Sequence, residues 1–187
     1  MSPSRPLATV FLLALCGTAF AAGSFTLESA EIKPGAMIAN AHVFNGFGCS
    51  GGNVSPSLAW KNVPAGTRSF AVTVYDPDAP TGSGWWHWVV FNLPASTTTI
   101  ALGAGEKTGA ALPAGSVQGR TDFGAPGWGG PCPPVGDKAH RYVFTVHALK
   151  TDKIDVPADA TAALVGFMVH ANTIGKAGFT GKYGRAK

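Results

Sequence analysis

Trp88-Val89-Val90-Phe91-Asn92-Leu93 is an almost unbroken apolar run, rich in β-formers and stopped by Pro94. Such a run reads as a strand buried on both faces, because a strand with one wet face alternates apolar and polar residues. A chain that carries it needs packed material on both sides of a sheet. Phe70, Val72 and Val74, alternating with Ser69, Thr73 and Tyr75, predict a strand with one strongly apolar face. Residues Arg141 to Leu149 alternate again and predict another core strand. With 25 Gly and 14 Pro among 187 residues, turns between short strands are favoured over a helix bundle. The length fits one domain with a core that stands without staples.

The remaining elements are shorter. Phe25 to Ile32 is expected to open as a strand, punctuated by Pro34-Gly35. A short strand is expected at His42-Val43-Phe44, before a long irregular loop from Asn45 to Asn53. Ser55 to Trp60 is extended, since a residue before proline is pushed out of the helical region. Residues 95–130 show little periodicity and predict a loop with at most short strands. One helix is expected, its apolar stripe at Leu164, Phe167, Met168 and Ala171 and its cap at Asp159 or Thr161. A short strand from Phe179 to Tyr183 closes the sheet.

Ser4-Arg5, the apolar run Leu7 to Leu15 and the small-x-small site Ala19-Phe20-Ala21 form a secretory signal peptide over residues 1–21, too short for a stable membrane anchor. Bulky Leu15 before Cys16 argues against a lipoprotein signal. Residues 22–187 then form a single domain that is exported, to the periplasm or beyond, and no later segment is long and apolar enough to span a bilayer. Its two cysteines, Cys49 and Cys132, invite a disulfide in an oxidising compartment, the alternative being two buried free thiols. The net charge of +4 is spread without a basic run or stripe, which excludes an obvious nucleic-acid footprint.

Two loops at strand ends collect the chemistry. In the first, Asp76 ends one strand and His87 precedes the next, with Trp85 and Trp86 beside it. In the second, Pro131, Pro133 and Pro134 stiffen the approach to His140 and Tyr142. Strands joined by so short a loop are neighbours, so His87 is expected to donate one N–H toward Asp76 and to turn its other nitrogen to a ligand. A carboxylate there favours the cationic ring. Directed donors within aromatic walls suit an anionic head group beside an apolar or cationic tail. His42, His147 and His170 lack such company and are read as structural.

Asp76-Pro77-Asp78-Ala79-Pro80, Gly84-Trp85-Trp86-His87-Trp88 with Asn92-Leu93, and Gly130-Pro131-Cys132-Pro133-Pro134 leading to His140-Arg141-Tyr142 closely resemble the phosphatidylethanolamine-binding protein family. Gly52-Asn53, Ser55-Pro56, Leu58, Trp60 and the closing Thr180-Gly181-x-Tyr183 extend the likeness across nearly all of residues 22–187. The run Thr81 to Trp86 and the paired cysteines look most like an exported bacterial branch. The resemblance implies a mostly β, antiparallel fold, with a large central sheet, a smaller flanking sheet and few short helices. It implies a shallow site for phosphate-like anions or phospholipid head groups, lined by Asp76, Asp78, Trp85, His87, Pro133, His140 and Tyr142. It also implies a cis peptide in the first loop, for which Ala79–Pro80 is the candidate, and a homodimer. Where the eukaryotic members carry glycine before the Pro-Pro pair, this chain has Cys132, which narrows the mouth and favours a small anion over a whole phospholipid.

Gly48-Cys49-Ser50-Gly51-Gly52 matches the G-x-S-x-G pattern of a serine hydrolase, but Asn53 to Pro56 cannot start the helix that the motif requires. No histidine or cysteine spacing suits a metal, and no phosphate-binding P-loop is present. The expectation is a binding protein without catalysis or cofactor. Its rival is an inhibitor that engages a protein partner, such as a protease, through its surface.

Overall fold

The computed structural model describes residues 23–187, so the expected leader peptide, its expected cleavage site and Cys16 lie outside the described residues. In chain order the strands are β1 (Thr26–Glu28), β2 (Asn45–Gly46), β3 (Cys49–Ser50), β4 (Leu58–Lys61), β5 (Ser69–Asp76), β6 (Trp85–Pro94), β7 (Thr99–Ile100), β8 (Val117–Gln118) and β9 (His140–Leu149). Helix α1 (Ala162–Asn172) and strand β10 (Thr173–Tyr183) complete the chain.

The large sheet runs β10-β9-β5-β6-β8 and the small one β1-β4-β7, every pairing antiparallel, with β2 and β3 forming a separate hairpin. The apolar run that demanded cover on both faces lies in β6, and the cover is of two kinds. Trp88 and Val90 join Phe70, Val72, Val74 and Phe144 against Leu58, Trp60 and Ile100 of the small sheet. Val89 and Phe91 face the other way, with Ala71 and Leu149, onto α1. Strand β5 is therefore buried on both faces too, where one apolar face was expected. The strand at the middle of the five is β5, flanked by β6 and β9, which brings the ends of all three strands to one edge.

Several local expectations are corrected. His42-Val43-Phe44 is not a strand: Asn40–His42 is a 3-10 turn. The turn brings His42 Nδ1 to the carbonyl of Val54 at 2.7 Å. The opening strand ends at Glu28 because Ser29 Oγ accepts from the N–H groups of Glu31 and Ile32, closing a local turn. The last strand is long, starting where α1 ends and pairing with β9 throughout. Helix α1 is capped by Thr161, whose hydroxyl accepts from Leu164 N at 3.1 Å. Its buried residues, however, are Ala162, Val165 and Val169, while Leu164 and Phe167 of the expected stripe are 41% and 69% exposed. A helix apolar around most of its girth offers two faces, and the sheet took the one with small and β-branched residues.

Candidate functional site

The register of β5 on β6 pairs Val74 with Trp88 and Tyr75 with Trp86, so His87 is the extra residue of a β-bulge. Bulges bend a strand and re-aim a side chain, often beside functional sites. On the far side of β6, Gly129 N donates to the His87 carbonyl at 2.9 Å. The His87 side chain returns the contact, with Nδ1 2.6 Å from the Gly129 carbonyl oxygen. Glycine at 129 lets the ring of Phe123 close on this segment, since a Cβ there would stand 2.2 Å from it. Asn53 clamps the same segment, its Oδ1 accepting from Gly130 N at 2.8 Å and its Nδ2 donating to the Trp128 carbonyl at 3.2 Å.

Asp76, at the end of β5, accepts from Asp78 N at 2.8 Å through Oδ1. Its Oδ2 lies 2.8 Å from Nδ1 of His140 at the head of β9. The partner of Asp76 is thus His140, and the expected His87–Asp76 hydrogen bond is absent: β5 has β9 on its other side, and Gly129 holds Nδ1 of His87. His140 Nε2 is engaged too, 3.3 Å from Asp137. The expected cationic His87 is also corrected. Burial lowers its pKa to about 4, against the opposing pull of the Gly129 carbonyl and of Asp76. Tyr142 packs edge-on to His87, ring centroids 5.0 Å apart. Burial, helped by the charge of Asp76, raises its phenol far above the ordinary range and keeps it an O–H donor.

These groups surround a cavity of about 180 Å³ lined by Asp76, Trp85, His87, Pro133, His140 and Tyr142. Asp78 stands apart. Its carboxylate is gripped by Arg141, through Nε at 2.9 Å, Nη2 at 2.7 Å and the backbone N–H at 2.9 Å. Those hydrogen bonds lower its pKa to about 2. Asp78 therefore anchors the first loop to β9 from outside the cavity.

The sequence reading missed Phe47 and Phe123, which form the apolar wall. Phe47 sits at the tip of the β2–β3 hairpin, its ring stacked 5.9 Å from Phe123, which stands edge-on to Trp85 and His87 at 5.4 Å each. The hairpin is fastened by the Cys49–Cys132 disulfide, so the pair is bridged as expected. Arg185 was missed as well. Its Nε donates to the Pro133 carbonyl at 2.6 Å and its Nη1 to the Gly48 carbonyl at 3.1 Å, tying the hairpin to the proline loop. No proximity in sequence could have signalled it. Ala79–Pro80 is trans, as are all peptide bonds among the described residues. Thr81 N donates to the Ala79 carbonyl at 2.8 Å, so the chain reverses around Pro80 without a cis bond. Ser50 lies in β3, paired with Asn45, and not on the strand-to-helix turn of a nucleophile elbow.

Residues 28–184 match the profile of the phosphatidylethanolamine-binding protein family. The chain belongs to that family. Among the relatives of this phosphatidylethanolamine-binding protein homologue, the UPF0098 protein YbcL of Escherichia coli K12 is 59% identical over 162 residues, 87% of this chain and 88% of YbcL. YbhB of the same organism is 53% identical over 157 residues, 84% of this chain and 98% of YbhB. The solved structure of E. coli YbcL, described as a new member of the mammalian PEBP family, superposes with a TM-score of 0.85 at 58% identity. It covers 87% of this chain and 99% of YbcL's resolved chain. The antiparallel architecture expected from the motifs is thus the fold observed.

Proposed function

We propose that the chain is an exported binding protein whose cavity takes a small phosphate-like anion, of the phosphate or phosphorylethanolamine type, without catalysing its conversion. The observation that carries this reading is a set of polar groups without protein partners on the cavity residues. Tyr142 Oη and Trp85 Nε1 are buried and, among the described residues, bond to no protein group, on side chains that line the same cavity as His87. A native fold rarely leaves buried donors idle, and a ligand is one reason to do so. The volume is below the roughly 300–1,000 Å³ of sites for drug-sized ligands, which suits a head group better than a whole lipid. Export is supported by the N-terminal pattern and by the disulfide. No helix among the described residues is long and apolar enough to cross a membrane.

Calorimetric titration with O-phosphorylethanolamine tests the site. Binding around the millimolar level, about −4 kcal/mol, should vanish in His87→Ala with the far-ultraviolet spectrum unchanged. Undiminished affinity in both His87→Ala and Asp76→Asn would end this assignment. A second reading, inhibition of a protein partner, is favoured by Phe47, 69% exposed at the rim. Such a partner would still be retained by His87→Ala and lost with Phe47→Ser.

A further inference from the structure

The hydrogen bond that fixes His87 also decides what its other nitrogen can do. A carbonyl oxygen only accepts, so the contact between Nδ1 and the Gly129 carbonyl, 2.6 Å long, places the proton on Nδ1. In the neutral ring Nε2 is then a lone pair, and among the described residues no protein group donates to it. Rotating the ring would sacrifice the Gly129 contact, and Tyr142 and Phe123 hold it edge-on at 5.0 and 5.4 Å. The surrounding charge points the same way. The carboxylates of Asp76 and Asp122 act on this imidazole, and Tyr142 is a neutral phenol. His140 is held between Asp76 and Asp137. Among the described residues, no lysine or arginine lines the cavity. Arg141 is spent on Asp78, and Arg185 on the carbonyls of Pro133 and Gly48.

A fully ionised phosphate would set oxygen lone pairs against a nitrogen lone pair, beside a buried carboxylate and with no cation to offset it. An oxyanion that keeps one hydroxyl meets the acceptor with a donor and carries one charge fewer. We infer that the cavity selects a singly charged, protonated phosphate monoester, whose P–OH donates to His87 Nε2 while its other oxygens face the donors of the wall. This rests on the anion-site reading above and narrows it. A phosphodiester such as a phospholipid head group has no such hydroxyl and is disfavoured, and so is a sulfate ester.

Three probes of similar size separate the possibilities at pH 5, below the second phosphate pKa of about 6. Methyl phosphate, dimethyl phosphate and methyl sulfate are then all monoanions, and methyl phosphate alone keeps a hydroxyl. Dimethyl phosphate stands for the lipid diester and methyl phosphate for a free monoester. In chemical-shift titrations of the wild-type protein, methyl phosphate should bind roughly ten-fold or more tightly than the other two, since they leave the buried acceptor unpaired. Its affinity should fall about ten-fold per pH unit above pH ~6. Calorimetry at pH 8 in two buffers of different ionisation enthalpy should show uptake of about one proton per ligand. Equal affinity for the three probes with a flat pH profile would overturn the inference and leave the anion site standing. Failure of all three to bind would remove the anion site and the inference together.

Discussion

Asp76 and His140 meet through Oδ2 and Nδ1 at 2.8 Å, with side chains only 4% and 5% exposed, across the ends of the adjacent strands β5 and β9. The contact locks the first loop to the second, because Asp76 Oδ1 simultaneously accepts from Asp78 N. It also leaves His87, on the neighbouring strand, as the cavity imidazole whose second nitrogen is uncommitted.

Breaking this pair from one side should cost more than the pair contributes. Asp76→Ala strands the Nδ1–H of His140 and the N–H of Asp78 in a buried setting. A loss of roughly 3 kcal/mol or more in urea unfolding is expected, the range for removing one partner of a buried pair. Asp76→Asn retains an acceptor for one of the two donors and should lose less. A variant as stable as the wild type would show that the contact is not what joins the loops.

Acid should weaken the fold in two stages. The imidazoles of buried His87 and part-buried His147 have pKa values lowered to about 4 from 6.5, in each case chiefly by desolvation. Between those values the unfolded chain binds protons that the folded chain refuses. Stability therefore falls with pH, by on the order of 3 kcal/mol per ring, and this contribution levels off below pH ~4. The Asp78 carboxylate, lowered to about 2 by Arg141, then gives up its contribution as pH drops from about 4 toward 2. Denaturant midpoints at pH 7.5, 5.5, 4 and 2.5 read both stages. A midpoint unchanged from pH 7.5 to 4 would contradict the first.

The Cys49–Cys132 bridge spans a sequence separation of 83. Under the chain-entropy model a loop of that size stabilises the fold by about 4.5 kcal/mol, so the double Cys→Ser variant should lose an amount of that order. The loss should reach the cavity, because the bridge holds the hairpin that carries Phe47. Intact-mass analysis after alkylation should find no reactive thiol at Cys49 or Cys132 without reductant.

The scaffold was legible where one residue pattern had one meaning. The run ending at Pro94 could only be a strand covered twice, and the strands of Tyr75 and of Tyr142 announced themselves by alternation. The convergence of the two loops on one cavity was legible because Asp76, His87, His140 and Tyr142 stood at strand ends beside proline and because the motifs were specific. What escaped was set by register and by distant packing. The bulge at His87 depends on how β5 counts against β6, which neither strand records alone. Asp76 was assigned to the wrong imidazole because the hairpin partner β6 is obvious in sequence, whereas β9 is not. Phe47, Phe123 and Arg185 lie in segments without periodicity, so nothing marked them as wall or clasp. The face of α1 was misjudged because Leu164 and Phe167 are as apolar as Val165 and Val169, and the shape of the sheet made the choice.

Gly129 offers the sharpest separation of cavity from fold. Its N–H and carbonyl are both engaged with His87, and the ring of Phe123 lies where its Cβ would be. Gly129 has no positive φ, so alanine brings no left-handed backbone strain there and acts through the clash with the ring, which is relieved by movement of the ring and of the Gly129 backbone. Phe123 would have to leave its contacts with Phe44, Phe47 and His87, aromatic pairs worth about 0.5–1.5 kcal/mol each. Gly129→Ala should therefore fold with a stability loss of roughly 1–3 kcal/mol and yet bind O-phosphorylethanolamine at least about ten-fold more weakly, since one wall of the cavity has moved and the carbonyl that orients His87 has shifted with it. The double variant Gly129→Ala, Phe123→Ala removes the clash but also the ring's contacts with Phe44, Phe47 and His87, so it should be about as stable as Gly129→Ala alone, while binding stays weak because the wall is gone. Wild-type affinity in Gly129→Ala would mean that neither the Phe123 wall nor the Gly129 contact positions the ligand.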